Sequence, residues 1–133
     1  MASTQARRAR KAPDATLNGE TVLVCGGAGF IGSNFIRQLL EKYPRIKIVN
    51  LDKLTYSGNL DNLRDIARDP RYTFVRGDIA DARKIHSVFK RYMPGYVINF
   101  AAETHVDRSI HVGALEFINT NVVGVFNILE AVK

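Results

Sequence analysis

Gly26, Gly29 and Gly32 recur every third residue in the stretch Val22-Leu23-Val24-Cys25-Gly26-Gly27-Ala28-Gly29-Phe30-Ile31-Gly32, with Gly27 in addition. A β-branched apolar run leads into the glycines. Phe30, Ile31, Phe35, Ile36, Leu39 and Leu40 follow at helical spacing. Strand, glycine turn and helix in that order make a cradle for a pyrophosphate. The first glycine permits a tight turn, the second lets the backbone approach the phosphates, and the third lets helix and strand pack closely. The helix start adds free amides and a partial positive charge. Asp52 stands twenty residues after Gly32. A carboxylate there accepts hydrogen bonds from a ribose diol and repels a 2′-phosphate, so the pattern points to NAD rather than NADP. Lys53 beside it pulls the other way, since an ammonium tolerates a phosphate. Asp78 either receives the adenine amino group or closes a turn. Cys25, at the end of the run, reads as a buried small hydrophobe rather than a reactive thiol.

The elements that must position these groups follow from the apolar pattern. Thr21–Cys25 is a strand with the continuous apolar character of one buried on both faces. A helix runs from about Phe30 to Glu41, and Pro44 forbids its continuation. Ile46–Asp52 is the second strand, and a loop marked by Ser57-Gly58-Asn59 follows. Leu60, Leu63, Ile66 and Ala67 mark a short helix before Pro70. Tyr72–Arg76 is the third strand, closed by Gly77-Asp78. Ile85, Val88, Phe89 and Tyr92 stripe the next helix, which Pro94-Gly95 breaks. Tyr96–Phe100 is the fourth strand. After a loop from Ala101 to about His111, Leu115, Ile118, Val122, Phe126 and Leu129 mark a long final helix. Helical crossovers require parallel strands, which predicts a Rossmann-type, doubly wound parallel α/β sheet of four strands in the order 3-2-1-4. Ligands bind such sheets beyond the carboxyl ends of the strands, where the chain reverses direction. The glycine turn and the loops after Asp52, Gly77 and Phe100 all lie there.

Bulk properties narrow the class. The chain has 133 residues, 46% hydrophobic and 24% charged, which suits one globular unit. No apolar run approaches the ~18–20 residues of a membrane span. One cysteine excludes an intramolecular disulfide, which fits the cytoplasm, and no hydrophobic signal segment opens the chain. The net charge of +6 is partly carried by Arg7, Arg8, Arg10 and Lys11. Without a basic stripe interleaved with aromatics, it reads as a solvated surface and a loose tail rather than a nucleic-acid site. Residues 1–20 are expected to be a disordered basic extension, with residues 21–133 forming the dinucleotide-binding domain. An Arg-rich start is also a feature of transit peptides, but Asp14 and Glu20 speak against that reading. His86 lies between apolar stripes and is expected in solvent. His105 and His111 lack the grouping of a metal site.

Three segments carry a family resemblance. Gly26–Ser33 is similar to the cofactor fingerprint of the extended short-chain dehydrogenase/reductase family. Leu51-Asp52-Lys53-Leu54-Thr55-Tyr56-Ser57-Gly58-Asn59-Leu60 and Phe100-Ala101-Ala102-Glu103-Thr104-His105-Val106-Asp107-Arg108-Ser109 resemble, more narrowly, the dTDP-glucose 4,6-dehydratases and their relatives acting on UDP-glucose. The resemblance covers residues 21–133. It implies that Phe30 and Ile31 lie against NAD and that Asp52, Lys53, Leu54 and Thr55 surround the adenosine ribose. Asp78 and Ile79 would hold the adenine, Ala101, Ala102 and Glu103 would line the nicotinamide side, and Phe100 would also belong to the cofactor site. Thr104 would touch cofactor and sugar, and Thr120 would face the cofactor. The implied reaction is an internal redox cycle. Hydride leaves C4 of the glucosyl ring, water is lost across C5 and C6, and the hydride returns to C6. A homodimer is implied for the full-length enzyme.

The family's Tyr-x-x-x-Lys pair and its Thr-Asp-Glu segment belong to a later part of the chain than Lys133, so no catalytic residue is expected here. Tyr43-Pro44-Arg45-Ile46-Lys47 has that spacing, but Pro44 breaks the helix the pair requires. Glu103 and Asp107 read either as an acid/base pair or as hydrogen-bonded loop anchors. The family usually has Thr in place of Cys25 and often in place of Val125. Thus 133 residues read as the NAD-binding part of a nucleotide-sugar 4,6-dehydratase. The alternatives are the same part of a nucleotide-sugar 4-epimerase, or a non-catalytic dinucleotide-binding module.

Overall fold

The first strand, β1 (Thr21–Cys25), is apolar on both faces because both are covered. Successive residues of a strand point to opposite sides. Val22 and Val24 enter one core with Ile36, Leu39 and Leu40 of the helix α1 (Phe30–Lys42) and with Leu63. Leu23 and Cys25 enter the other, with Ile85 and Val88 of the helix α2 (Ala82–Tyr92) and with Ile128. The second strand, β2 (Lys47–Asp52), divides in the same way, Ile48 to the first core and Val49 and Leu51 to the second. The computed structural model describes residues 17–55, 58–104, 110 and 113–133.

The strands β3 (Tyr72–Arg76) and β4 (Tyr96–Asn99) complete a parallel sheet in the order β3-β2-β1-β4, as the pattern predicts. The register pairs Cys25 with Leu51 on one side and with Asn99 on the other. The ends of β1, β2 and β4 therefore come level at one edge, and Asp52 pairs with Arg76 at the end of β3.

Three expectations change in detail. Leu60–Ile66 is a 3-10 helix, in which Leu60, Leu63 and Ile66 share one face at a period of three. The final helix is not uniformly α. It runs as α3 (Ala114–Ile118), a π-helical turn (Asn119–Gly124) and α4 (Val125–Val132). Its predicted stripe faces outward: Leu115, Ile118, Val122, Phe126 and Leu129 are exposed, while Thr120, Gly124 and Ile128 are buried. Ala114–Val132 is also, by length and composition, long and apolar enough to cross a membrane. The sequence reading missed this because Glu116, Glu130 and three asparagines interrupt the apolar residues without lowering the average far enough. In the fold its buried line packs beside the sheet.

The boundary at residue 20 also moves. Gly19 donates to the Arg45 carbonyl, Lys47 donates to the Glu20 carbonyl, and Leu17 packs on the first core. Residues 17–20 thus belong to the folded unit; the rest of the expected extension lies outside the described residues. His86 is exposed, as expected.

Candidate dinucleotide site

The glycine turn is locked by the strands on either side of it. Gly26 adopts φ +76°, and a Cβ there would stand 2.5 Å from the Ala101 amide nitrogen. A Cβ on Gly32 would meet the Gly26 carbonyl oxygen at 2.4 Å. The first and third glycines are therefore required by close approach, as their spacing suggests. A Cβ on Gly27 would fall 2.3 Å from Asn50 Oδ1 and 2.6 Å from Ile36 Cδ1, so these two buried side chains would have to shift.

Asn50 is the residue that sequence reasoning missed here. It is fully buried in the middle of β2. Its Oδ1 accepts from the Gly27 amide at 3.0 Å, and its Nδ2 donates to the Tyr72 hydroxyl at 3.0 Å. Burial raises the Tyr72 phenol pKa, against the opposing effect of the Asn50 bond, and Asp52 adds to the rise. The phenol thus stays neutral as a partner. The available signal was a polar residue inside an otherwise apolar strand.

Asp52 closes the turn from the end of β2. Its Oδ2 accepts from the Ala28 amide at 2.9 Å and its Oδ1 from the Leu54 amide at 2.8 Å. Leu54 takes a left-handed φ of +58°, an uncommon conformation for a branched side chain. Each carboxylate oxygen keeps a second lone pair, so the acid that holds the turn can still accept hydroxyl donors. Asn59 N and Asn62 Nδ2 both donate to the Ala28 carbonyl. Gly26, Gly27 and Ala28 consequently spend their amides on Leu51, Asn50 and Asp52. The first turn of α1 does not: Gly29 provides no side-chain cap and no acidic residue follows. The amides that begin α1 have no partner within the helix and make a seat for an anion.

Around this turn the strand ends form one cleft. Gly26, Gly29, Asp52, Lys53 and Thr55 line it on one side, with Asp78 and Ile79 beyond β3. Phe100, Ala101, Ala102, Glu103 and Thr120 line the other side. Leu51, Gly58 and Gly77, not named from sequence as cofactor residues, complete it. Phe30, Ile31, Gly32, Leu54 and Thr104 are not among its lining. Phe30 and Ile31 stand in solvent at the start of α1, 81% and 66% exposed. Gly32 is buried under the turn, Leu54 packs toward the first core, and Thr104 is exposed. His105, Asp107 and His111 lie outside the described residues.

Lys53 and Asp78, on the ribose side of the cleft, are paired with each other. Lys53 Nζ lies 3.2 Å from Asp78 Oδ2 and 3.6 Å from Glu116 Oε1 of α3. Partial burial works to lower the Lys53 pKa, but the bonds and charges of Asp78 and Glu116 outweigh it and hold it above the ordinary lysine value. Asp78 Oδ1 also accepts from the Ala80 amide at 2.9 Å, so it closes its turn while it meets Lys53. On the other side Asn121, also missed from sequence, clamps the loop after β4. The Glu103 amide donates to its Oδ1 and its Nδ2 donates to the Glu103 carbonyl, both at 2.9 Å. Cys25 is buried beneath the turn. Desolvation, reinforced by Asp52, pushes its thiol up to about 12, which fits an inert packing residue. Tyr43 is buried just after α1, in extended backbone, and Lys47 opens β2 at the far edge of the sheet. No group of three or more metal-ligating side chains occurs among the described residues.

Fold, strand order and glycine turn define a Rossmann-type α/β unit. A family model described as GDP-mannose 4,6 dehydratase matches residues 23–133, and the chain belongs to that family. It is 52% identical over 114 residues to the dTDP-glucose 4,6-dehydratase of Neisseria gonorrhoeae, covering 86% of this chain and 32% of that protein. A dTDP-glucose 4,6-dehydratase structure from Streptomyces venezuelae, solved with NAD bound, superposes with a TM-score of 0.74 at 47% identity, covering 84% of this chain and 35% of that one. The UDP-glucose 4-epimerase of Thermus thermophilus, in complex with NAD, superposes at 0.70 and 32% identity, covering 84% and 33%. The resemblance read from the three segments is borne out. The chain spans about a third of the length of the curated relatives it matches.

Proposed function

We propose that this chain is the cofactor-binding part of an NAD-dependent nucleotide-sugar 4,6-dehydratase, converting dTDP- or UDP-glucose to the 4-keto-6-deoxy sugar. The observation that carries the reading is the cleft itself. An uncapped helix start, a strand-end carboxylate with spare lone pairs and the loop after β4 meet in one place. The dinucleotide fits these residues, because Gly29 opens α1 onto the cleft with no side chain over the helix start, and no carboxylate in the first turn repels a phosphate.

In this reading Phe30, Ile31 and Gly32 offer amides to the pyrophosphate, which the bare Cα of Gly29 lets approach. Asp52 accepts the adenosine ribose hydroxyls, with Lys53, Leu54 and Thr55 around them. Asp78 and Ile79 hold the adenine. Ala101, Ala102 and Glu103, kept in place by Asn121, flank the nicotinamide, with Phe100 and Thr120 behind. Thr104 reaches the sugar. NAD, when bound, supplies a hydride acceptor that is restored at the end of each turnover. No residue in 1–133 is assigned to proton transfer. The exposed stripe Leu115, Ile118, Val122, Phe126 and Leu129 supports a homodimer of the full-length enzyme. The one buried thiol fits work in the cytoplasm.

The second reading, a 4-epimerase, rests on the epimerase fold match. The higher identity to the dehydratases and the segments Thr55–Asn59 and Glu103–Ser109 favour the first. Calorimetric titration of the chain with NAD, followed by incubation with dTDP-glucose and NAD, tests the proposal. NAD binding without keto-sugar formation is expected. Failure to bind NAD overturns the reading of the cleft, and turnover overturns the view that residues 1–133 hold no catalytic group.

A further inference from the structure

Lys53 is the one cation among the described residues that line the cleft, and it follows directly on Asp52. A cation at that position is what a 2′-phosphate would need. Its ammonium is committed elsewhere, to Asp78 at the end of β3 and to Glu116 on the final helix. Asp78 belongs to the turn after β3, whereas Glu116 lies far along the chain and does not line the cleft. Its part in the geometry is to draw Lys53 across the strand ends.

We propose that Glu116 is a specificity-determining residue: by holding Lys53 against Asp78, it withholds the lysine that lines the cleft from a 2′-phosphate and favours NAD over NADP. This rests on the reading of the cleft as a dinucleotide site. The charges support it. Asp78 and Glu116 flank the Lys53 ammonium and Asp52 precedes it in the chain, so these four side chains together carry a net negative charge. A dianionic phosphate meets repulsion, and a neutral diol does not.

The pair is partly open to solvent, with the Lys53 and Glu116 side chains 40% and 46% exposed, so the effect is modest and screened by salt. The test is titration of the 133-residue chain, and of its E116Q, K53M and E116Q/K53M variants, with NAD and NADP at low ionic strength. E116Q is expected to strengthen NADP binding about 3-fold, with little change for NAD. The gain should vanish in the K53M background and fade in about 0.5 M salt, where the Debye length falls to a few ångströms. An unchanged NADP-to-NAD ratio in E116Q overturns the inference while leaving the dinucleotide reading intact. So does an equal gain in the K53M background, which would show that Glu116 acts as a bare charge and not through Lys53. If the wild-type chain binds neither dinucleotide, the reading of the cleft falls, and this inference with it.

Discussion

The side of the sheet that holds the glycine turn and the side that carries the final helix solve the same problem in opposite ways. Around Gly26–Ala28 every amide and the Ala28 carbonyl find partners within the chain, from Leu51, Asn50, Asp52, Asn59 and Asn62. The side chains beneath are buried. Along Ala114–Val132 only one line, through Thr120, Gly124 and Ile128, turns inward, and the larger apolar residues face out. Between β4 and α4 lies an apolar groove lined by Val97, Ile128, Leu129 and Val132. The first region is closed by its own residues. The second presents a contiguous apolar surface of the kind that marks interaction sites. Positions in the first are thus constrained by contacts within this chain, and outward positions in the second are not.

The comparison is broken most severely by Gly27→Ala. The new methyl must displace Asn50 or Ile36 in a packed interior, and a loss of about 3 kcal/mol in urea unfolding is expected, with loss of NAD binding. A loss under 1 kcal/mol would show that the turn is looser than its contacts imply. Asn50→Ala removes the middle of a buried bridge, leaving the Gly27 amide and the Tyr72 hydroxyl unpaired. It should cost about 2–3 kcal/mol, against about 1 kcal/mol for Tyr72→Phe, which removes one hydroxyl and leaves the Gly27 bond in place. Equal costs for the two would locate the importance of Asn50 at β3 and not at the glycine turn. The smallest effect belongs to the other region. Phe126→Ser should change unfolding free energy by no more than about 0.5 kcal/mol while reducing self-association in sedimentation. A large destabilisation there would mean that the outer face contributes to the fold of the single chain.

The sheet was legible in the sequence because parallel strands covered on both faces leave an unbroken apolar signature between Gly, Pro and Asp punctuation. β1 and β3 match their predicted limits, and the strand order follows from the crossovers. The lining of the cleft was legible because strand ends are where the fold leaves backbone and short polar groups free. The clamps were not. Asn50 and Asn121 act through side-chain bonds to backbone groups distant in sequence, and neither composition nor periodicity encodes which amide they meet. The outward direction of the last stripe was hidden for a related reason. A helical period reports that apolar residues share a face, and it does not report whether that face is covered within the same chain.

The π-helical turn at Asn119–Gly124 amounts to one residue more than an α-helix of the same rise would hold. Such a bulge re-phases everything on one side of it against the other, by about 100° for each residue added or removed. Its reach includes Glu116 upstream and, at its own last residue, the Gly124–Ile79 contact, where a Cβ would stand 2.5 Å from Ile79. In genetic terms, then, a one-codon deletion inside the turn is a rotation: it would restore ordinary helical bonding while carrying Glu116 around the helix axis and away from Lys53.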